Sequence, residues 1–258
     1  MRKSKIICII QARMSSTRLP GKSLIKINGI PCIEMVINRV NKSLLINDVW
    51  LACSNHSSDD ILADYVKSLK ANIFRGKLND VLSRFSAISR KANAHYVVRI
   101  TGDCPLIDHE IIDKVIKKIL DQDLDYVSNT LERTFPDGVD VEVFKSSALY
   151  ASEKVANNFM REHVTPYISG KLKAYMSHGN FKVGQIKNSE DLSLFRLTLD
   201  RKEDLTLLNI LCNRLGNNCT WDQAVKLLQE NSDLFKINNH IAYNENSKKD
   251  LEYFLKNE

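Results

Sequence analysis

What most constrains this chain is an alternation that runs through its first half. Short apolar segments of strand length take turns with amphipathic segments of helix length. Residues 6–10, 49–53, 72–74, 96–100 and 125–128 read as strands, and residues 30–40, 59–69, 80–91 and 111–120 read as helices. A strand buried on both faces is a continuous apolar run, and its parallel neighbour is reached through a helix of about 10–15 residues. The pattern therefore predicts an α/β fold, a mostly parallel sheet flanked by helices.

The pattern changes after Asn129. Residues 139–144 look like a strand with Asp140 and Glu142 on one face. Residues 146–153 and 161–169 look helical, 182–185 and 195–199 strand-like, and 202–215 and 221–230 helical again. Residues 129–185 are expected to form a small β-rich excursion that rejoins the main sheet. No repeat or low-complexity linker interrupts the 258 residues. One domain over 1–242 with a polar C-terminal tail over 243–258 is the simplest division.

Composition excludes several classes. The chain is 43% apolar and 26% charged, as a globular protein is. No stretch reaches the roughly 18 apolar residues of a membrane span. The apolar run after the basic residues Met1 to Lys5 is too short for a signal sequence, which needs roughly 7–15. A cytoplasmic protein without membrane attachment is expected. The six cysteines form no C-x-x-C pair, so reduced, buried thiols are expected. The net charge of +6 is spread along the chain rather than gathered in a block. That argues against nucleic acid as a partner and for small anionic ligands.

The loop after the first strand reads Gln11-Ala12-Arg13-Met14-Ser15-Ser16-Thr17-Arg18-Leu19-Pro20-Gly21-Lys22. Ligands of open α/β sheets bind outside the carboxyl ends of strands. The loop carries three cations, Arg13, Arg18 and Lys22, and three hydroxyls. That is a phosphate cradle in chemistry, or else a solvated basic loop. It matches neither the G-x-x-x-x-G-K-[ST] loop nor the G-x-G-x-x-G fingerprint.

Two acids follow strands in the same way. Asp103, in Thr101-Gly102-Asp103-Cys104-Pro105-Leu106, can hold Mg²⁺ beside bound phosphates or can merely close a turn. Asp200 opens Asp200-Arg201-Lys202-Glu203, which suits either a metal ligand or a helix cap. A third acidic group, Asp137, Asp140 and Glu142, can meet acceptor hydroxyls, hold a second metal or face solvent.

With these segments in view, the chain resembles the cytidylyltransferases of bacterial surface-glycan synthesis, of the spore-coat-polysaccharide type. It is more distantly similar to the enzymes that activate Kdo and sialic-type sugars with CMP. The segments that carry the resemblance are IIQARMSSTRLPGKSL, VVRITGDCPLID, DYVSNTLERTFPDGVDVEVF, REHVTPYI and LTLDRKEDL, in the family's order over nearly the whole chain. It departs at Ser15, where the family often has glycine.

The resemblance implies a Rossmann-like GT-A nucleotidyltransferase fold and Mg²⁺-dependent transfer of CMP from CTP to a small anionic acceptor. It implies that Arg13, Arg18 and Lys22 contact phosphates and that Asp103 and Asp200 hold the metal, with Arg13, Lys22 and Asp103 catalytic. Ser54, Asn55, Arg75, Gly76 and Arg84 would lie near the base or ribose. Arg161, Glu162 and His163 would lie toward the acceptor, with Asp140 and Glu142. A homodimer is implied as well. The rival readings are a nucleotidyltransferase using another nucleotide with a sugar phosphate, a glycosyltransferase on the same fold, and a non-catalytic nucleotide-binding protein.

Overall fold

The structure, a computed structural model, describes residues 4–174, 177–243 and 251–256. Its strands are β1 (Ile6–Gln11), β2 (Lys26–Ile27), β3 (Ile30–Pro31), β4 (Asp48–Ser54), β5 (Asn72–Gly76), β6 (Tyr96–Thr101), β7 (Tyr126–Ser128), β8 (Glu142–Lys145) and β9 (Val183–Gln185). The helices that matter below are α1 (Cys32–Val40), α2 (Asp60–Ser68), α3 (Val81–Lys91), α4 (His109–Asp121), α5 (Ser146–Val155), α6 (Asn158–His163), α7 (Pro166–Ser169), α8 (Lys202–Leu215), α9 (Trp221–Glu230) and α10 (Ser232–Phe235).

β1 lies inside a seven-stranded sheet of order β5-β4-β1-β6-β8-β7-β9. It pairs in parallel with β4 and β6, and β8 alone runs antiparallel to its neighbours β6 and β7. Successive strand residues face opposite sides. Ile6, Cys8 and Ile10 pack with α1, α2 and α4, through residues such as Val36, Leu62 and Val115. Ile7 and Ile9 pack with α3, α5 and α7, through Phe85, Leu149 and Ile168. This two-sided burial is why the strand is apolar throughout.

A third apolar cluster positions the site. Leu19 of the first loop, Leu106, and Leu197 and Leu199 pack under α8 and α9, against Leu207, Leu211 and Leu228. It thereby fixes three distant segments side by side.

Several expected elements differ in detail. The helix expected over 30–40 starts at Cys32, because Ile30 and Pro31 pair as β3 with β2. The turn between them is Asn28-Gly29, both with positive φ (44° and 87°), a hairpin signal legible in the sequence. The helix expected over 161–169 is broken at Val164, whose φ of 68° is costly for a β-branched residue, giving α6 and α7. Residues 195–199 join no ladder. They touch a neighbouring segment through one isolated bridge, Asp137 to Arg196. The excursion expected to be β-rich lends β8 and β9 to the main sheet and otherwise folds as α5, α6 and α7.

Of the tail, residues 251–256 are helical, and the Phe254 ring lies 5.9 Å from Phe159. Residues 244–250 and 257–258 lie outside the described residues. All six cysteines are buried and free. Among the described residues no helix is long and apolar enough to cross a membrane.

Candidate active site

The loop after β1 is tied down at both ends. Gly21 N–H donates to the Met14 carbonyl (3.0 Å), and Met14 N–H donates to Asp59 Oδ1 (2.8 Å). Buried Leu19 anchors the middle. The chain is thereby turned so that Lys22 points inward, onto the carboxyl end of β6.

There Lys22 Nζ donates to Asp103 Oδ2 at 2.6 Å and to Asp200 Oδ1 at 2.9 Å. Arg18 pairs with the other oxygen of Asp200. Residues 81 and 178 positions from Lys22 thus converge on one ammonium. Burial disfavours the Lys22 ammonium, but Asp103 and Asp200 outweigh it and hold its pKa above the usual lysine value. Burial likewise opposes ionisation of Asp103, yet Lys22 prevails and keeps its pKa below the carboxylate range.

Close packing aims Asp103. Gly102 N–H donates to the Gln11 carbonyl at 2.8 Å. A Cβ at Gly102 would stand 2.7 Å from the Ala12 Cβ, so absence of a side chain, not an unusual φ, is what this glycine supplies. The Asp103 carbonyl accepts from Leu199 N–H (2.8 Å) and Thr198 Oγ1 (2.9 Å), which brings residue 200 alongside.

The two readings of Asp200 can now be separated. Its side chain does not cap α8. Asp204 does, accepting from the N–H of Asp200 (3.0 Å) and of Arg201 (2.9 Å). Asp204 also accepts both Arg196 Nε and Nη2 at 2.9 Å and Asn238 Nδ2 at 2.9 Å. This frees the Asp200 carboxylate for Lys22 and Arg18.

Two cavities flank the carboxylate pair and share Arg18, Thr101, Asp103, His163 and Asp200. The smaller, about 270 Å³, is also lined by Arg13, Lys22, Arg84 and Glu162. Arg84 is only 2% exposed, and burial pushes its pKa down. Its Nε, with Nε and Nη1 of Arg18, is a buried donor with no acceptor among the described residues. Orphaned guanidinium donors at a cavity wall suit phosphate oxygens, which accept such forks. Arg13 meets Glu162 at 3.5 Å, so Glu162 serves the cationic loop here.

The larger cavity, about 310 Å³, is lined by Asp137, Asp140, Glu142 and Lys171, with His163 at the shared edge. Glu142 is saturated by Arg99, Tyr126 Oη (2.6 Å) and Thr165 Oγ1 (2.6 Å). Asp140 takes a bidentate bond from Arg133 (3.1 Å twice), and Arg133 lies 3.7 Å from the Tyr243 ring centre.

Five residues expected near ligands line neither cavity. Ser54 donates to Asp59, and Asn55 N–H donates to the Gly76 carbonyl (2.7 Å). Arg75 turns to Asp60 (2.6 Å) and to the Ser54 and His56 carbonyls (2.9 Å each). Gly76 packs behind Arg84, whose Cγ would be 2.7 Å from an added Cβ. Arg161 pairs with Asp80 at 2.9 Å. Sequence reading also missed Arg196, Asp204 and Asn238, a strand-like position, a first-turn helix position and a turn residue whose mutual contacts no local pattern reveals.

Asp137 carries a pH signature. Burial and the neighbouring Asp140 push its pKa up to about 7, against the pull of Arg196 and Arg133. A carboxyl raised on folding contributes stability that is full below its unfolded pKa of about 4 and is lost as pH rises toward 7. The expected result is that Asp137→Asn, compared with wild type by thermal melts, gains relative stability as pH climbs through that window. A pH-independent difference would mean that Asp137 stays ionised in the fold.

The carboxylate pair also fits a divalent cation. Lys22 Nζ is an internal stand-in, a positive charge met by both acids at once. Two hard oxygen donors suit Mg²⁺, which keeps waters and phosphate oxygens for its other positions. No cluster of three or more His, Cys, Asp or Glu side chains that could hold a metal occurs among the described residues.

Comparison with known proteins gives the family. The chain is 35% identical to an uncharacterized protein of Methanocaldococcus jannaschii, over 92% of this chain and 96% of that one. It is 30% identical to the spore coat polysaccharide biosynthesis protein SpsF of Bacillus subtilis, over 88% and 95%. Its fold superposes with a TM-score of 0.84 on a cytidylyltransferase from Leptospira borgpetersenii (29% identity, 93% of this chain and 99% of that one). A CMP:2-keto-3-deoxy-manno-octonic acid synthetase solved with CTP shares the fold alone, with a TM-score of 0.60 at 15% identity over 82% and 99%. The family model described as cytidylyltransferase matches residues 7–243, and on that match this chain belongs to the cytidylyltransferase family.

Proposed function

We propose that this chain transfers CMP from CTP to a small anionic acceptor, with release of pyrophosphate, in the synthesis of a surface glycan. The observation that carries the reading is the convergence of Lys22, Arg18, Asp103 and Asp200 between two cavities. One cavity is rich in cations, as a triphosphate requires. The other is mixed in charge and lined by hydroxyls, as a polyhydroxylated acceptor requires. The spore-coat relative's role in polysaccharide biosynthesis supports the pathway.

In this reading the acceptor's oxygen attacks the α-phosphorus from the larger cavity, and pyrophosphate departs on the side of the basic loop. Arg13, Arg18 and Lys22 hold the phosphates and stabilise the charge that grows on the leaving group. Arg84 fixes the nucleotide through its buried guanidinium. Asp103 and Asp200 are the residues that would hold Mg²⁺. When bound, that ion supplies charge neutralisation at the reacting phosphate. His163, which borders both cavities, is in this reading the group that takes the acceptor's proton.

The test is incubation with each of the four ribonucleoside triphosphates, Mg²⁺ and a mixed pool of sugar acids and sugar phosphates. Pyrophosphate release and mass spectrometry of nucleotide conjugates are the readouts. CMP conjugates formed from CTP are the expected result. Conjugates from another nucleotide but none from CTP would refute the assignment.

A further inference from the structure

The smaller cavity contains one carboxylate that its proposed ligand should repel. Arg13, Arg18, Lys22 and Arg84 line it, and so do Asp103, Asp200 and Glu162. Lys22 holds Asp103 and Asp200, and Arg18 holds Asp200 as well. Those two acids have a place on the proposed reading, as metal ligands. Glu162 has none there. It borders a pocket proposed for a polyanion, and it occupies Arg13, one of the cations proposed to receive that polyanion, at 3.5 Å.

The pairing keeps two cations together. Arg13 and Arg84 border the same cavity. Burial pushes the Arg84 pKa down, and the Arg13 charge adds to that push. Glu162 offsets part of the Arg13 charge, a service that a phosphate would also give. The backbone of α6 is anchored. Phe159 and Met160 are buried, and Arg161 donates to Asp80 at 2.9 Å. The side chains of Arg13 and Glu162 are 43% and 41% exposed, so both can swing while α6 stays in place. A half-exposed ion pair is weak, and an arginine exchanges it for a phosphate, which accepts two of its donors at once.

Resting on the reading of this cavity as the triphosphate pocket, we propose that Glu162 is an exchange partner for Arg13: it yields the arginine when CTP binds and takes it back as pyrophosphate leaves, so that neither is held too tightly. Glu162 acts through Arg13 and is a positioning residue. It touches no reacting atom.

The test is titration calorimetry on the full chain in the presence of Mg²⁺. CTP, CMP and inorganic pyrophosphate are titrated separately into wild type, Glu162→Gln, Arg13→Gln and the double variant. Glu162→Gln should bind CTP and pyrophosphate about two- to five-fold more tightly, the worth of a half-exposed ion pair. It should bind CMP as wild type does, because Arg13 serves the departing phosphates. In the Arg13→Gln background the same change should alter none of the three, a coupling that a merely structural glutamate would not show. The proposal fails if Glu162→Gln leaves CTP and pyrophosphate unchanged, if it tightens CMP equally, or if its effect persists without Arg13. It fails also if Glu162→Gln weakens CTP, which would make this carboxylate a contact of the nucleotide or of its metal. Failure of CTP to bind wild type instead strikes the nucleotide reading on which this one rests, so the two failures are told apart.

Discussion

Asp103→Asn should lower turnover about 10²–10³-fold, or roughly 3–4 kcal/mol of transition-state stabilisation, while leaving the fold intact. The substitution keeps volume and shape and removes only charge. The backbone carbonyl of residue 103 still accepts from Leu199 and Thr198, so the segment holding Asp200 stays in place. Lys22 keeps Asp200 at 2.9 Å, so its ammonium is not stranded. What is lost, on the proposed reading, is one of the two carboxylates that would face the reacting phosphate. A binding readout separates this from a general defect. On that reading the Lys22 ammonium, which meets both acids, would compete with a divalent ion for them. Lys22→Met removes the competitor, so its melting temperature should rise more steeply with Mg²⁺ than wild type's, while Asp103→Asn should respond less. Asp103→Asn retaining more than a tenth of wild-type turnover would remove this residue from the reacting centre.

The sheet was legible because its physics is written locally. Burial on both faces makes residues 6–10 uniformly apolar, and the crossover helices carry their own periodicity. That Asp103 lies beside the first loop followed from the same logic, since it sits just past β6 and the loop leaves the neighbouring end of β1. Asp200 was harder. The segment Asp200-Arg201-Lys202-Glu203-Asp204 offers two capping frames, and local pattern favoured the one with Asp200 at the cap. The fold uses the frame one residue later, because Asp204 is also claimed by Arg196 and Asn238, both distant partners invisible to spacing. The same holds for Arg75. The resemblance implies a place near the base or ribose, but Asp60 and the carbonyls of Ser54 and His56 hold its guanidinium instead. The break at Val164 was hidden for another reason. Valine is a poor residue for positive φ, so only tertiary packing can impose it there.

Asp204→Ala should be the most destabilising single change near the site, by about 3–5 kcal/mol, or roughly 10 °C in melting temperature. Asp204 is fully buried. Its two oxygens accept five hydrogen bonds, from both Arg196 nitrogens, from Asn238 and from the N–H groups of Asp200 and Arg201. Removing it strands a guanidinium that is 7% exposed and uncaps α8. Asp137, 2.7 Å from Arg196 Nη1, gives only partial relief because burial and the neighbouring Asp140 disfavour its ionised form. Arg196 lies 3.7 Å from Asp200 and would be drawn to it, competing with Lys22 and Arg18 for the same carboxylate. Stability and turnover should therefore fall together, unlike in Asp103→Asn, where turnover falls alone. Asp204→Asn, which keeps acceptor capacity and loses charge, should lie between wild type and Asp204→Ala in melting temperature. A melt of Asp204→Ala within a degree or two of wild type would show that Asp200 is held by something other than this buried network.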